Sequence, residues 1–194
     1  PGDGFDIDRL NHELPGDIFV LGKSEGKIGY PVMKHYTYLL GKDMIEKMDM
    51  GRLRHVAGLF SGKHDFINFA KSDKSSEKLS VRTIEVKADE INNIGGIGFI
   101  VLHFYGAGFL WQMIRRIVQC MYDYSTGKIS EKRVRDFIDV KIKRNYVPAV
   151  AENLVLIDID AGLRFNHSAK MKRQTREKMG LLEKELFFFG NLFN

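Results

Sequence analysis

The sequence has little cysteine and no long apolar run, and each shortage excludes a class of protein. The single cysteine, Cys120, excludes a disulfide framework and a zinc site built from cysteines. Its place in an apolar helical run predicts a reduced, buried thiol, which is typical of a cytoplasmic protein. No apolar run approaches the roughly 20 residues that cross a bilayer. The opening residues 1–4 also lack the basic-then-apolar order of a signal peptide, so we expect no membrane partner.

Common catalytic signatures are missing too. The sequence contains no G-x-x-x-x-G-K-[ST], H-E-x-x-H or G-x-S-x-G pattern. The usual sequence motifs for nucleotide hydrolysis, zinc proteolysis and serine hydrolysis are therefore absent. The glycine-rich residues 95–98 precede a predicted strand, whereas a dinucleotide-binding loop follows one. They therefore predict a tight turn.

The composition is that of one soluble domain. The chain has 194 residues, of which 44% are hydrophobic and 28% are charged. Its formal net charge of +5 favours a polyanionic partner, although an excess of this size is also common in proteins that never meet nucleic acid. The chain opens without Met at what resembles a loop, and we expect it to be an excised fragment.

Hydrophobic periodicity predicts alternating strands and helices. The predicted strands are residues 18–21 and 36–40, which could form a hairpin-like pair, and residues 79–86, 98–105 and 154–159. The predicted helices are residues 43–60 capped by Asp43, residues 109–124, a short helix capped by Ser130 and a basic tail of residues 167–186. The short turn between the strongest strands predicts an antiparallel sheet with helices mainly on one face, an α+β fold. Residues 1–16 predict a connector with a helical turn from Asp8, and residues 17–194 a domain.

Three stretches place charged or aromatic groups beside apolar ones. Tyr36 and Tyr38 lie on one face of their strand, where two rings could stack on a base or could simply pack in a half-buried sheet. The loop of residues 60–69 holds Lys63, His64 and Asp65 between aromatics, which is compatible with acid-base work or with a local turn.

In the longest helix, Arg115 and Arg116 fall on the margins of the apolar stripe. Each side chain could reach solvent or an anion across a cleft.

In this order, these stretches resemble the C-terminal half of the TruA family of tRNA pseudouridine synthases. The matching segments are residues 10–18 (Leu-Asn-x-x-Leu-Pro-x-Asp-Ile), 34–38 (Lys-x-Tyr-x-Tyr), 62–66 (Gly-x-His-Asp-Phe), 82–84 (Arg-x-Ile), 109–118 (Phe-Leu-x-x-Met-hydrophobic-Arg-x-Ile-Val) and 148–154, where Asn153 replaces the usual Gly.

The resemblance implies an enzyme that isomerises uridine to pseudouridine in tRNA, without a cofactor or a metal. It implies that Tyr36 stacks on the target base and that Arg115 pairs with the catalytic aspartate or a nearby phosphate. The remaining candidates for holding the substrate are Lys34, Tyr38, Lys63, His64, Asp65 and Arg116.

The family's Arg-Thr-Asp-x-Gly motif, which carries the catalytic aspartate, does not occur in these 194 residues. We therefore expect the chain alone to be inactive.

Basic clusters are candidates for gripping tRNA phosphates, or are merely solvated helix faces. They comprise Lys141, Lys143 and Arg144, and further along Lys170, Lys172, Arg173, Arg176 and Lys178. The competing interpretation is a non-enzymatic RNA-binding or dimerisation module of ferredoxin-like fold. An RNP-type strand would favour it, and the sequence has none. A homodimer is left open.

Overall fold

The computed structural model describes residues 6–15, 18–24, 29–71, 80–94, 97–164, 166–167 and 173. The chain divides into two units, one of residues 30–161 and one that combines residues 1–29 with residues 162–194. The boundary predicted at residue 16 is not one of these divisions and stays a prediction.

The elements alternate between helix and strand in the larger unit. In chain order they are α1 (Ile7–Glu13), β1 (Gly22–Lys23), β2 (Met33–Leu40), α2 (Lys42–Ile45), α3 (Met50–Phe60), β3 (Gly62–Asp65), a 3₁₀ turn (Ile67–Phe69), β4 (Val81–Ile94), β5 (Ile97–Gly106), α4 (Met113–Ser125), α5 (Glu131–Ile138), β6 (Leu154–Asp160) and β7 (Asn166–His167).

The larger unit is built on a five-stranded antiparallel sheet in the order β3-β4-β5-β2-β6. The strands predicted at residues 36–40, 79–86, 98–105 and 154–159 all lie in this sheet, which confirms the α+β class and the antiparallel sheet. Strand β4 begins at Val81. The predicted start at Leu79 and the predicted turn at Gly95-Gly96 lie outside the described residues.

Alternation along the strands builds the core. On β4 up to Glu90 and on β5 from Ile100, every second residue points to the helices, because side chains of a strand alternate between the two faces of the sheet. Helices α3 and α4 cover this face with their own apolar stripes. The buried side chains include Tyr38, Leu40, Leu53, Val56, Phe60, Ile84, Val86, Leu102, Phe104, Ile117 and Met121.

The helix predicted over residues 43–60 is two helices. The chain leaves α2 after Ile45, and α3 begins at Met50 with Asp49 as its N-cap. The Asp49 carboxylate accepts a hydrogen bond from the backbone N–H of Arg52 at 2.8 Å. An aspartate that bonds the local backbone in this way starts a helix instead of continuing one. The prediction of Asp43 as the cap is therefore wrong.

Helix α4 begins later than its periodicity predicts. Residues 109–112 are not helical, and Gln112 adopts a left-handed conformation with φ of 62° just before Met113. The apolar residues at the start of the predicted stripe thus belong to a connecting loop. In the next helix, α5, the predicted cap Ser130 is confirmed.

In the smaller unit, one strand pairing differs from the prediction. Residues 18–21 are not a strand, and β1 begins at Gly22 and pairs with β7, so the hairpin-like pair with residues 36–40 is wrong. Asp6 caps α1, which confirms the predicted helical turn. His167 lies in β7 instead of opening a tail helix. Most of the predicted tail helix lies outside the described residues.

Replacing Tyr38 by Phe is expected to reduce the free energy of unfolding by about 1 kcal/mol. The Tyr38 ring has 0% exposure, and its hydroxyl donates to the carbonyl of Val150 at 3.1 Å. Removing the donor leaves that carbonyl without its partner. Urea unfolding of the variant measures the loss. The Tyr36→Phe variant is the matched control and should unfold like the parent, because within the described residues the Tyr36 hydroxyl has no hydrogen-bond partner.

Candidate functional site

Tyr36 lies half-buried on β2, braced by an aromatic neighbour. Its ring contacts Phe109 edge-on, with centroids 5.4 Å apart and planes at 83°. Phe109 follows β5 in the loop to α4. Gly106 lets it come close, because a Cβ there would lie 3.2 Å from the Phe109 ring and 3.1 Å from Ile84. This edge-on contact fixes the orientation of the Tyr36 ring.

Arg115 is tied to the segment that leads into β6. Its Nε donates to the carbonyl of Ala149 at 2.6 Å, and the backbone N–H of Ala149 donates to the Arg115 carbonyl at 3.0 Å. Among the described residues, no carboxylate forms an ion pair with this guanidinium, so its terminal nitrogens remain as donors for an anion.

Tyr36 and Arg115 share two neighbouring segments. Phe109 packs on Tyr36 and lies six positions before Arg115 in the sequence. Tyr36 also pairs with Leu156 of β6, the strand that Ala149 precedes. Since the resemblance has both side chains act on one nucleotide, we expect them to face one cleft, and this stays a prediction.

The side chains of Tyr38 and Arg116 are both buried. Tyr38 is in the core, so no face of its ring is open to a base. Arg116 is 8% exposed, so the expected reach of its side chain into solvent is wrong. It donates to the Tyr146 carbonyl through one terminal nitrogen, and through the other to Oε1 of Gln112 at 2.8 Å. Burial, with the charge of Arg115 as a second cause, lowers the pKa of Arg116. These contacts do not support a substrate role for either side chain, and such a role stays a prediction.

Lys63, His64 and Asp65 lie away from Tyr36. Strand β3 is separated from β2 by β4 and β5, about 14 Å at the usual strand spacing. His64 bonds the carbonyl of Ser61 at 3.1 Å, and Asp65 accepts from the N–H of Ile67 at 3.1 Å. The local turn is therefore the role the contacts support, and a substrate role for these residues stays a prediction.

Lys34 lies two residues before Tyr36 and hence on the same face of β2. The structure thus brings Lys34 to the strand face of Tyr36.

A histidine pair on the opposite face of the sheet was not found from the sequence. Nε2 of His35 and Nδ1 of His103 are 2.9 Å apart, and the His35 ring stacks on Tyr105 at 4.3 Å. Nε2 of His103 lies 3.4 Å from the carboxylate of Asp89. The partners are 68 positions apart in the sequence, and only the register of β2 and β5 brings them together.

From the histidine pair we expect the free energy of unfolding to decrease in mild acid. Burial, followed by the charge of His103, lowers the pKa of His35 below its usual 6.5, while Asp158 acts in the opposite direction. Below pH 6.5 the unfolded chain therefore binds more protons at His35 than the folded chain. The contribution of His35 to the free energy of unfolding is therefore complete above pH 6.5 and decreases as the pH falls below 6.5.

Thermal unfolding between about pH 5 and 8 measures this effect. The His35→Gln variant is expected to lose less stability than the parent across that window. An equal loss in both proteins would contradict the assignment to His35.

Two kinds of site are not found in the described part of the chain. No group of three or more His, Cys, Asp or Glu side chains there is arranged to hold a metal ion. None of its helices combines the length and the apolar character that crossing a membrane requires.

Comparison with known proteins finds many relatives of one kind. The family model for tRNA pseudouridine synthase matches residues 56–160. The tRNA pseudouridine synthase A of Methanothermobacter thermautotrophicus is 31% identical over 163 residues, which are 81% of this chain and 56% of the relative. That of Thermococcus kodakarensis is 31% identical over 173 residues, 86% of this chain and 61% of the relative.

A third relative, from Thermococcus sibiricus, is 32% identical over 179 residues, 87% of this chain and 64% of the relative. The chain thus spans less than two thirds of the length of these curated relatives. The family match covers more than half of the chain and agrees with the resemblance in the motifs. The chain therefore belongs to the tRNA pseudouridine synthase family.

Proposed function

We propose that this chain holds the target nucleotide in an enzyme that isomerises uridine to pseudouridine in tRNA. The observation that carries this proposal is the braced ring of Tyr36, which lies on a face shared with Lys34 and beside segments that also position Arg115. The names of the relatives support tRNA as the substrate.

The side chains of this chain would act by holding and orienting. A uridine taken out of its stack needs a new stacking partner, which the Tyr36 ring provides. The terminal nitrogens of Arg115, which have no ion-pair partner among the described residues, can bind a phosphate, or the carboxylate of the catalytic aspartate, through charge-assisted hydrogen bonds. Fixing the base near the reacting group reduces the entropy that the reaction step must lose.

The catalytic aspartate is assigned to no residue of this chain, because the Arg-Thr-Asp-x-Gly motif is absent from it. That carboxylate would come from the part of the intact protein beyond these residues, and the described groups would hold the nucleotide for it.

The tRNA would be bound chiefly through its phosphates, in keeping with the net charge of +5. Of the predicted basic tail cluster, Arg173 is described and exposed, and the other members lie outside the described residues. A homodimer and a cytoplasmic location stay predictions.

The test uses the intact protein and unmodified tRNA that carries tritium at C5 of its uridines. Formation of pseudouridine moves the glycosidic bond to C5, so tritium is expected in the solvent and pseudouridine at a defined position of the tRNA by mass spectrometry. Tight tRNA binding without tritium release would favour the alternative, a non-enzymatic RNA-binding module, and would contradict the proposed activity.

A further inference from the structure

A cavity of about 530 Å³ opens beside the C-terminal half of α4. Its size is within the range of about 300–1,000 Å³ that is usual for pockets that bind small organic groups. Its walls come from α4, α5 and the segment that follows α5. Among the lining residues are Gln119, Asp123, Arg133, Arg144, Tyr146 and Val147.

The wall after α5 is held in place by the buried side chain of Asn68, which is 3% exposed. The Asn68 amide nitrogen donates to the carbonyls of Phe137 at 2.8 Å and Ile142 at 2.6 Å. Its amide oxygen accepts from the N–H of Arg144 at 3.1 Å, and its backbone carbonyl accepts from the N–H of Tyr146 at 2.8 Å. The segment that carries Arg144 and Tyr146 is therefore preorganised.

The acidic group in the wall already has partners. The Asp123 carboxylate accepts from the Tyr146 hydroxyl at 2.8 Å and from the Gln119 amide at 3.0 Å, and Lys128 lies 3.5 Å away. Its negative charge is thus compensated within the wall.

The two arginines at the cavity lack such partners. Arg133 and Arg144 are exposed, and neither forms an ion pair with a carboxylate in the described part of the chain. The Arg133 guanidinium lies over the ring of Phe137 at 5.2 Å. By contrast, the nearby Arg135 pairs with Glu131 at 2.7 Å. The cavity therefore offers two uncompensated guanidinium groups, which suit a phosphate.

Other walls are apolar. Val147 is 69% exposed, and Ile129 also lines the cavity. A sugar or the face of a base can cover such side chains, whereas an inorganic anion cannot. Phosphate donors beside an apolar wall match the chemistry of a nucleotide.

The cavity continues the surface that carries Arg115. Residues four and eight positions further along a helix lie on the same side, so Arg115, Gln119 and Asp123 form one row with Cα positions about 6 and 12 Å along the axis. The segment after α5 runs beside this row, because Ala149 bonds Arg115 and the Tyr146 hydroxyl bonds Asp123. A strand held at Arg115 can extend along this row to the cavity.

We propose that this cavity binds a nucleotide of the RNA substrate other than the target uridine, with its phosphate on Arg133 and Arg144. The proposal rests on the proposed function, since it takes the strand to be that of the tRNA held at Tyr36 and Arg115.

The test compares two double variants of the intact protein with equal loss of charge. R133A/R144A removes both phosphate donors. R54A/R135A is the control, because Arg54 and Arg135 are also exposed arginines but pair with Glu90 and Glu131. The dissociation constant for tRNA is measured between about 50 and 200 mM salt, where phosphate contacts dominate the salt dependence.

R133A/R144A is expected to bind tRNA at least about tenfold more weakly than the control and to reduce the slope of log K against log salt by about 0.7–0.9, since the contact with one phosphate is lost. Equal weakening in both variants would overturn the proposal, because it would show only a general charge effect. Binding of uridine monophosphate is measured as well. Binding that R133A/R144A abolishes, while tRNA binding stays unchanged, would assign the cavity to a free nucleotide and overturn the RNA proposal.

Tritium release separates this proposal from the proposed function. Normal release by the parent together with equal tRNA binding by both variants removes the cavity proposal alone. No release by the parent contradicts the proposed function.

Discussion

The 194-residue chain alone is expected to form no measurable pseudouridine, whereas the intact protein is expected to form it. Tyr36 and Arg115 can orient a nucleotide, but neither supplies the aspartate that the family resemblance places in a motif absent here. Loss of an essential reacting group reduces the rate by about 10⁴-fold or more. The measurement is tritium release from tRNA by the chain and by the intact protein, side by side.

Binding of tRNA by the isolated chain serves as the control for folding in this comparison. Turnover by the isolated chain would show that one of its own carboxylates performs the reaction. The candidates would be Asp3, Asp6, Asp8 and Asp65. Two of these carboxylates already bond the local backbone, since Asp65 accepts a hydrogen bond from the N–H of Ile67 and Asp6 caps α1.

Replacing Tyr36 by Ala in the intact protein is expected to lower kcat by up to about 100-fold, because stacking of a base on an aromatic ring contributes about 1–3 kcal/mol. The dissociation constant for tRNA should change little, since binding is distributed over many phosphates. Single-turnover kinetics separate the two quantities.

The Tyr36→Phe variant distinguishes the ring from the hydroxyl. It keeps the stacking surface and the contact with Phe109, so its rate should stay close to that of the parent. A loss as large as that of Tyr36→Ala would assign the role to the hydroxyl and contradict stacking.

Much of the fold follows from local patterns. Alternation along β2, β4 and β5 predicted the sheet, because the apolar side chains of one of its faces pack in the core. The break before α3 was not predicted, since the apolar spacing continues through Asp49 and a single capping hydrogen bond decides where the helix begins. Periodicity likewise could not show the left-handed Gln112 that delays α4.

The candidate site was less predictable, because its properties depend on contacts between distant segments. Tyr36 and Tyr38 occupy equivalent positions in the alternation of β2, yet only Tyr38 is fully buried. The segment at Val150 is among the neighbours that cover it. Arg116 differs from Arg115 through its bond to Tyr146, 30 positions away. Asn68 and the pair of His35 and His103 gave no local signal at all.

Photocrosslinking tests most directly whether this chain holds the target base. The intact protein is irradiated with tRNA in which 5-iodouridine replaces the target uridine, and the attachment site is mapped by mass spectrometry of peptides. The proposed geometry predicts an adduct on the peptide that contains Tyr36, with loss of that adduct in Tyr36→Ala. An adduct confined to peptides outside residues 33–40 and 107–115 would contradict the assignment of Tyr36 as the stacking partner.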